Sequence, residues 1–281
     1  DIVIGTDPDA DRFGLVVKDL NSDWYYLNGN QIMAVLTESL LQKKAAQNKL
    51  NSNCFIASTV VSTPLLEKMA SHYGVQYKNT LTGFKWIAKL IEDFSELEFI
   101  GGGEESFGYL IGDSVRDKDA ISASLLACEI ANEAVNSGSS FFELLMDCYK
   151  KYGTYKEHLV SVTKKGKAGV DYIAKQMQNF RENPPKSIGG SPVVVLEDYL
   201  KLKTFNFALN EEYHLAYSPS NVLIFKLKDG SKIALRPSGT EPKIKYYFSV
   251  NREFDTALNW KEQEKILGKR LSELTSAILP K

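Results

Sequence analysis

Residues 53–103, "NCFIASTVVSTPLLEKMASHYGVQYKNTLTGFKWIAKLIEDFSELEFIGGG", decide the fold. Three short runs that read as strands, "NCFIAST", "VQYKN" and "LEFIGGG", alternate with two segments that read as helices, "TPLLEKMASHYG" and "GFKWIAKLIEDF", the first closed by Gly74. Strands that alternate with helices of this length lie parallel in one sheet with helices on both faces. The expected class is therefore α/β, a parallel or mixed three-layer sheet domain.

Working outward, "NGNQIMAVLTESLLQKKAAQ" opens on a cap-like Asn28 and carries Ile32, Val35, Leu36 and Leu40 at helical spacing. "KDAISASLLACEIANEAV" and "SSFFELLMDCYKKY" complete the helical layer, and Ile2–Gly5 and "FGLVV" read as strands at the other end. Beyond about residue 152 the pattern changes. "TYKEHLVSVT", "SPVVVLEDYL", "NVLIFKLKDG", "SKIALRPS" and "KIKYYFSV" are strands punctuated by turns, joined by one helix around "AGVDYIAKQMQNFREN" and ended by another with Leu267, Leu271, Leu274 and Ile278 on one face. That is a smaller α+β domain at the C-terminal end.

An apolar fraction of 43% with 25% charged residues suits a globular protein with a sizeable core. A formal net charge of -1 gives no general attraction to nucleic acid or to an anionic membrane, so neither is expected as a partner. No apolar run approaches the roughly 18 residues of a membrane span. Cys54, Cys128 and Cys148 lie far apart, without zinc-ligand spacing, and read as buried thiols of a reducing, cytoplasmic compartment. The chain starts without Met in what reads as a strand already under way, so a piece of a longer protein is expected.

Four segments carry chemistry. In "DIVIGTDPDADRFG", residues 1–14, Asp7, Asp9 and Asp11 alternate with no cation before Arg12. Carboxylates this close repel unless a positive group sits between them, and in an extended segment residues i, i+2 and i+4 share a side where they could converge on a hard, oxygen-seeking cation. "RPSGTEPK", residues 236–243, combines Arg236 and Lys243 with Ser238 and Thr240 around Gly239, the makings of a phosphate cradle or simply a turn-rich hairpin. "GGGEESFG", residues 101–108, leaves an apolar strand where open parallel sheets bind ligands; Glu104, Glu105 and Ser106 could hold hydroxyl groups, or the glycines could mark a flexible exit. "VRDKDA", residues 115–120, puts Arg116 and Lys118 beside two acids before a helix, which is also how an ion-paired helix start looks.

Taken with "TLTGFKWI", residues 80–87, these segments in this order resemble the α-D-phosphohexomutase superfamily, which includes phosphoglucomutase and phosphomannomutase. The resemblance implies an isomerase that interconverts hexose 1- and 6-phosphates through a phosphoserine enzyme and a glucose 1,6-bisphosphate intermediate, with Mg2+ bound. It implies residues 1–20 as the end of domain two, 21–152 as sugar-recognition domain three and 153–281 as phosphate-binding domain four. By position, Asp7, Asp9 and Asp11 would be Mg2+ ligands, and Arg12 a charge partner near the transferred phosphoryl group. Glu104 and Ser106 would read sugar hydroxyls, Lys118 would stand near the proton-transfer position, and Lys85 is a weaker substrate contact. Arg236, Ser238, Gly239 and Thr240 would grip the non-reacting phosphate. Small sugar phosphates are the implied partners; oligomeric state is left open.

The family's serine segment has no counterpart here. "MASHYG" lacks the following Asn-Pro, and Ser71 and His72 read as structural, so the chain alone should be inactive. "GEES" resembles the glucose-type loop more than the mannose/glucose version, which ranks phosphoglucomutase ahead of phosphomannomutase. An EF-hand fails because Arg12 and Lys18 stand where it needs Gly and Glu. A haloacid-dehalogenase-type phosphatase leaves "RPSGTEPK" unexplained, and a non-catalytic phosphosugar-binding protein has no need of three metal-binding carboxylates.

Overall fold

The computed structural model describes residues 2–164, 166–239 and 241–279. Its contacts divide the chain into two units, Asp1–Gly153 and Thr154–Lys281.

The first unit opens with β1 (Ile2–Thr6), β2 (Phe13–Lys18) and β3 (Trp24–Leu27), an antiparallel sheet in the order β1-β2-β3. All five residues of β1 pair with β2, from Ile2 opposite Val17 to Thr6 opposite Phe13. Next come α1 (Gly29–Ala46), β4 (Cys54–Thr59), α2 (Leu65–Tyr73), β5 (Gln76–Thr80), α3 (Lys85–Asp93), β6 (Glu98–Gly103), β7 (Tyr109–Ile111), α4 (Ala120–Asn136) and α5 (Phe141–Tyr152). The four-stranded sheet runs β5-β4-β6-β7, with β4 parallel to both β5 and β6 and β7 antiparallel at the edge. The sheet is thus mixed: a short loop joins β6 to β7, too short for the crossover a parallel pair needs.

All six residues of β4 are buried, as a strand covered on both faces requires. One face packs Phe55, Ala57, Phe99 and Leu110 against Phe84, Ile87 and Ile91 of the α3 region. Helix α1 starts with a capping box in which Asn28 accepts the Gln31 N–H and Gln31 accepts the Asn28 N–H, and α2 ends where Gly74 takes a left-handed φ of 67°. His72 lies edge-on to the rings of Tyr73 and Tyr152, the structural role expected of it. Cys54 and Cys148 are buried, but Cys128 is exposed on α4, contrary to the reading of all three as buried thiols: helical periodicity turns it outward while Ala127 and Ile130 face the core.

The second unit contains β8 (Thr154–Thr163), α6 (Gly166–Glu182), β9 (Ser187–Ile188), β10 (Ser191–Asp198), β11 (Lys203–Asn206), β12 (Glu211–His214), β13 (Leu223–Leu227), β14 (Lys232–Pro237), β15 (Lys243–Arg252) and α7 (Trp260–Ile278). Its antiparallel sheet follows the order β12-β11-β10-β13-β14-β15-β8, with β9 paired to β10. Leu267, Leu271, Leu274 and Ile278 of α7 join Ile173 and Met177 of α6 over the sheet residues Phe225, Leu235 and Phe248. Burial of each large apolar side chain contributes about 1.5–3 kcal/mol, which explains why so few helical positions suffice to hold the layer. Among the described residues, no helix is long and apolar enough to cross a membrane.

Candidate active site

The acidic loop is a turn. The Ala10 N–H donates to the Asp7 carbonyl at 3.0 Å, the Asp7 N–H donates to the Arg12 carbonyl at 3.2 Å, and Ala10 takes a left-handed φ of 54°. This corrects the expectation of an extended segment with three carboxylates on one side. Asp7 Oδ1 faces inward and accepts the N–H groups of Asp11 at 3.2 Å and Arg12 at 3.1 Å. Desolvation works against the ionised form of Asp7, but the backbone donors from Arg12 and Asp11, helped by the Arg12 guanidinium, outweigh it and hold the carboxyl below its ordinary value. Asp9 is exposed. Asp11 is flanked by Arg12 Nε at 3.7 Å and Lys118 Nζ at 2.9 Å. Among the described residues no group of three His, Cys, Asp or Glu side chains is gathered as a metal site. The donor set still fits a hard cation in chemistry, since all three candidates are carboxylates.

Loop 104–108 and the start of α4 meet this turn. Arg12 bridges Gly108, the Phe13 N–H donates to the Phe107 carbonyl at 3.2 Å, and the Ala120 N–H donates to the Ala10 carbonyl at 3.0 Å. Lys118 fills the junction: a Cβ added to Gly108 would stand 2.4 Å from Lys118 Cδ. Its Nζ also pairs with Asp117 at 3.2 Å. Burial disfavours the ammonium, yet the hydrogen bonds to Asp11 and Asp117 overcome that and raise the Lys118 pKa, so the group is a cation at neutral pH. Asp119 caps α4 by accepting the N–H groups of Ile121 and Ser122, so "VRDKDA" is a capped helix start whose lysine reaches back to the acidic loop.

The glycines of "GGG" belong to β6 and are not a flexible exit. Added Cβ atoms would stand 2.8 Å from the Tyr109 hydroxyl at Gly101, 2.1 Å from the Ala57 carbonyl oxygen at Gly102 and 2.3 Å from the Gly108 carbonyl oxygen at Gly103. Close packing of neighbouring strands demands them. Glu104 is buried, and its Oε1 accepts the Gly83 N–H at 2.8 Å, which fastens "TLTGF" to this loop. Ser106 is half-buried and Phe107, next to it, has a φ of 71°. Lys85 is exposed at the first position of α3, its Nζ 5.3 Å from the Trp86 ring centroid. Glu105 turns inward to the hydroxyls of Thr59 and Ser62, a partnership that residues 46 and 43 positions apart could not announce by local spacing.

In the second unit, "RPSGTEPK" is the tight connection from β14 to β15, with Arg236 opposite Lys245 and the Ser238 N–H donating to the Lys243 carbonyl at 2.7 Å. Lys243 Nζ lies 3.7 Å from Glu241. Gly239 is exposed, its φ lies outside the left-handed region, and an added Cβ would meet nothing within 4 Å. Neither backbone conformation nor internal packing calls for a glycine there. Thr240 lies outside the described residues.

Residues 28–152 match the family model described as phosphoglucomutase/phosphomannomutase, alpha/beta/alpha domain III. A phosphoglucomutase of Staphylococcus epidermidis is 39% identical over 252 residues, which are 89% of this chain and 45% of the relative; one of Staphylococcus haemolyticus is 37% identical over 251. The Paramecium pp63/parafusin phosphoglucomutase shares the fold, with a TM-score of 0.62 at 18% identity over 99% of this chain and 46% of that one. An N-acetylphosphoglucosamine mutase of Aspergillus fumigatus, solved with glucose 1,6-bisphosphate, covers 99% of this chain and 49% of its own at 15% identity and a TM-score of 0.51. The matched residues hold the mixed α/β sheet and the loops described above. Residues 28–152 thus match domain III of the phosphoglucomutase/phosphomannomutase family, and the chain spans about half the length of the curated relatives it matches.

Proposed function

We propose that the complete protein carrying this chain is a phosphohexomutase that interconverts hexose 1-phosphate and hexose 6-phosphate, with glucose phosphates the preferred substrates. The observation that carries the reading is the junction of three loops in one unit, where Lys118 Nζ sits 2.9 Å from Asp11 and Arg12 bridges Gly108. It sets acid, base and sugar-facing segments side by side, as transfer of a charged group to a polyol requires. The names of the relatives favour glucose, as does the "GEES" loop.

In this reading residues 1–20 close domain two, 21–152 form domain three and 153–281 form domain four. Asp7, Asp9 and Asp11 would hold Mg2+, which supplies charge neutralisation to a phosphoryl group. Arg12 adds a directional cation beside them. Lys118, a cation where it stands, would serve at or near the proton-transfer position, its ammonium donating a hydrogen bond to the sugar oxygen that gains or loses the phosphoryl group. Ser106 and Glu104 orient the sugar. Arg236, Ser238, Gly239 and Thr240 would grip the second phosphate, and the unexplained glycine at 239 supports that role because a bare backbone lets an anion reach the N–H groups. The phosphoserine would come from outside these residues, and glucose 1,6-bisphosphate, which the Aspergillus structure contains, would be the intermediate.

The test uses the complete enzyme, assayed for conversion of glucose 1-phosphate to glucose 6-phosphate with Mg2+ and catalytic glucose 1,6-bisphosphate. Turnover is expected, with mannose 1-phosphate the poorer substrate, and Asp9→Asn should lower kcat on the order of 100-fold or more. An inactive parent enzyme, or an Asp9→Asn variant with full turnover after metal removal, overturns the reading.

A further inference from the structure

Loop 104–108 is fastened from two sides, by a different glutamate on each. Glu104 holds the Gly83 N–H of the loop after β5. Glu105 Oε2 lies 3.2 Å from Thr59 Oγ1 and 3.3 Å from Ser62 Oγ, and the two hydroxyls are 2.8 Å apart. Thr59 and Ser62 are both about 1% exposed. A carboxylate only accepts, so the two hydroxyls supply the protons, one each, for the hydrogen bonds that hold these three oxygens together. The backbone is pressed in as well. A Cβ on Gly29, the first residue of α1, would stand 2.3 Å from the Glu105 carbonyl oxygen and 2.8 Å from the Phe107 nitrogen. Asn30 Oδ1 accepts the Thr63 N–H at 2.9 Å, tying the same end of α1 to the loop that carries Ser62.

The need for so much fastening is visible at Phe107. A bulky side chain at φ 71° is strained relative to the right-handed regions, and it persists only where the surroundings over-determine it. That conformation turns the chain so that the Phe107 carbonyl meets the Phe13 N–H and Ser106 is left at the half-exposed rim. A loop this dependent on buried partners would lose its shape if the deepest of them were cut.

We propose that Glu105 is a positioning residue: its carboxylate, pinned by the Thr59 and Ser62 hydroxyls, sets the conformation of loop 104–108 and thereby the placement of Ser106 toward the sugar. The part of this inference that concerns sugar rests on the phosphohexomutase reading; the part that concerns loop order does not. Glu105 acts through Ser106 and does not touch substrate. An oxygen acceptor is what the pin requires, so Gln serves in place of Glu, whereas a sugar-contacting carboxylate would not tolerate that change.

The experiment compares four variants of the complete enzyme, Glu105→Ala, Glu105→Gln, the pair Thr59→Val with Ser62→Ala, and all three alanine or valine changes together. Amide hydrogen exchange of residues 104–108 is measured without substrate, and kcat and KM with glucose 1-phosphate. Glu105→Ala is expected to speed exchange in the loop about tenfold and to lower kcat/KM on the order of 10- to 100-fold, because a displacement of about 1 Å carries a loss of that size. Glu105→Gln should stay within about threefold of the parent in both. The hydroxyl pair should reproduce the alanine variant, and the triple variant should lose nothing further, since all three groups act as one unit. Additive losses, unchanged exchange in Glu105→Ala, or a Glu105→Gln variant as impaired as Glu105→Ala would each overturn the proposal. Should Glu105→Ala fail to fold, the Gln variant and the hydroxyl pair still decide. An inactive parent would sink the mutase reading alone, while exchange in the loop would continue to report on the pin.

Discussion

Gly102 shows how a single hydrogen in place of a methyl group shapes this site. Its missing Cβ would stand 2.1 Å from a backbone oxygen of β4, and a backbone atom in the centre of a sheet cannot step aside as a side-chain tip can. Gly102→Ala should therefore destabilise the chain by about 3 kcal/mol, the upper range of overpacking, read as a lower urea midpoint at unchanged slope. A midpoint equal to that of the parent would show that β4 and β6 can separate at no cost. Gly108 differs, because there the obstacle is the flexible stem of Lys118. The three adjacent glycines are plain in the sequence, but composition cannot say whether a glycine marks freedom or crowding; only the neighbour across the sheet decides. Likewise, alternation of Asp7, Asp9 and Asp11 suggests convergence until the left-handed Ala10 bends the segment between them.

At the scale of elements, α4 links cap and chemistry. Asp119 accepts the N–H of Ile121 at 3.0 Å and of Ser122 at 3.3 Å, while the residue before it reaches Asp11. Asp119→Ala should cost about 1 kcal/mol, the usual loss of an N-cap, and melting should show it as a drop of a few degrees. Asp119→Asn keeps the acceptor and should recover most of the difference; equal losses in both variants would assign the effect to charge. Elements such as α4 are legible because burial repeats every helical turn, and β4 because an apolar run between helices has one sensible place. Strands β11 and β12 escape such reading. The whole of β12 is exposed, so no alternation of apolar residues exists to betray it, and its pairing with β11 rests on backbone hydrogen bonds that any sequence can make. The pin of Glu105 escapes for a different reason: its partners are brought near by the order of strands, not by spacing along the chain.

At the scale of the whole molecule, each unit carries a carboxylate whose ionisation is tied to folding. The Lys44 ammonium, hydrogen-bonded to Glu98, holds that carboxyl below its ordinary value in the first unit despite burial. In the second, burial opposes ionisation of Asp229, but the Ser231 N–H and the Arg270 guanidinium outweigh it and also lower its pKa. Groups lowered in this way stabilise the fold above their unfolded pKa, about 4, and lose that contribution as pH falls through the folded value. Melting temperature should be level from about pH 5 upward and decline below about pH 4, for both units; Glu98→Gln should flatten the decline in the first. A profile that does not change between pH 3 and pH 6 would contradict this. The cysteines have a practical counterpart at the same scale. Cys54 and Cys148 are sealed in the interior and burial pushes both thiols up, so of the three cysteines in these residues a maleimide dye at neutral pH should find one, Cys128, on the outer side of the helix that begins just after Lys118. Residues 1–281 thus offer a dye one ready position, on the helix whose start is joined to the acidic loop.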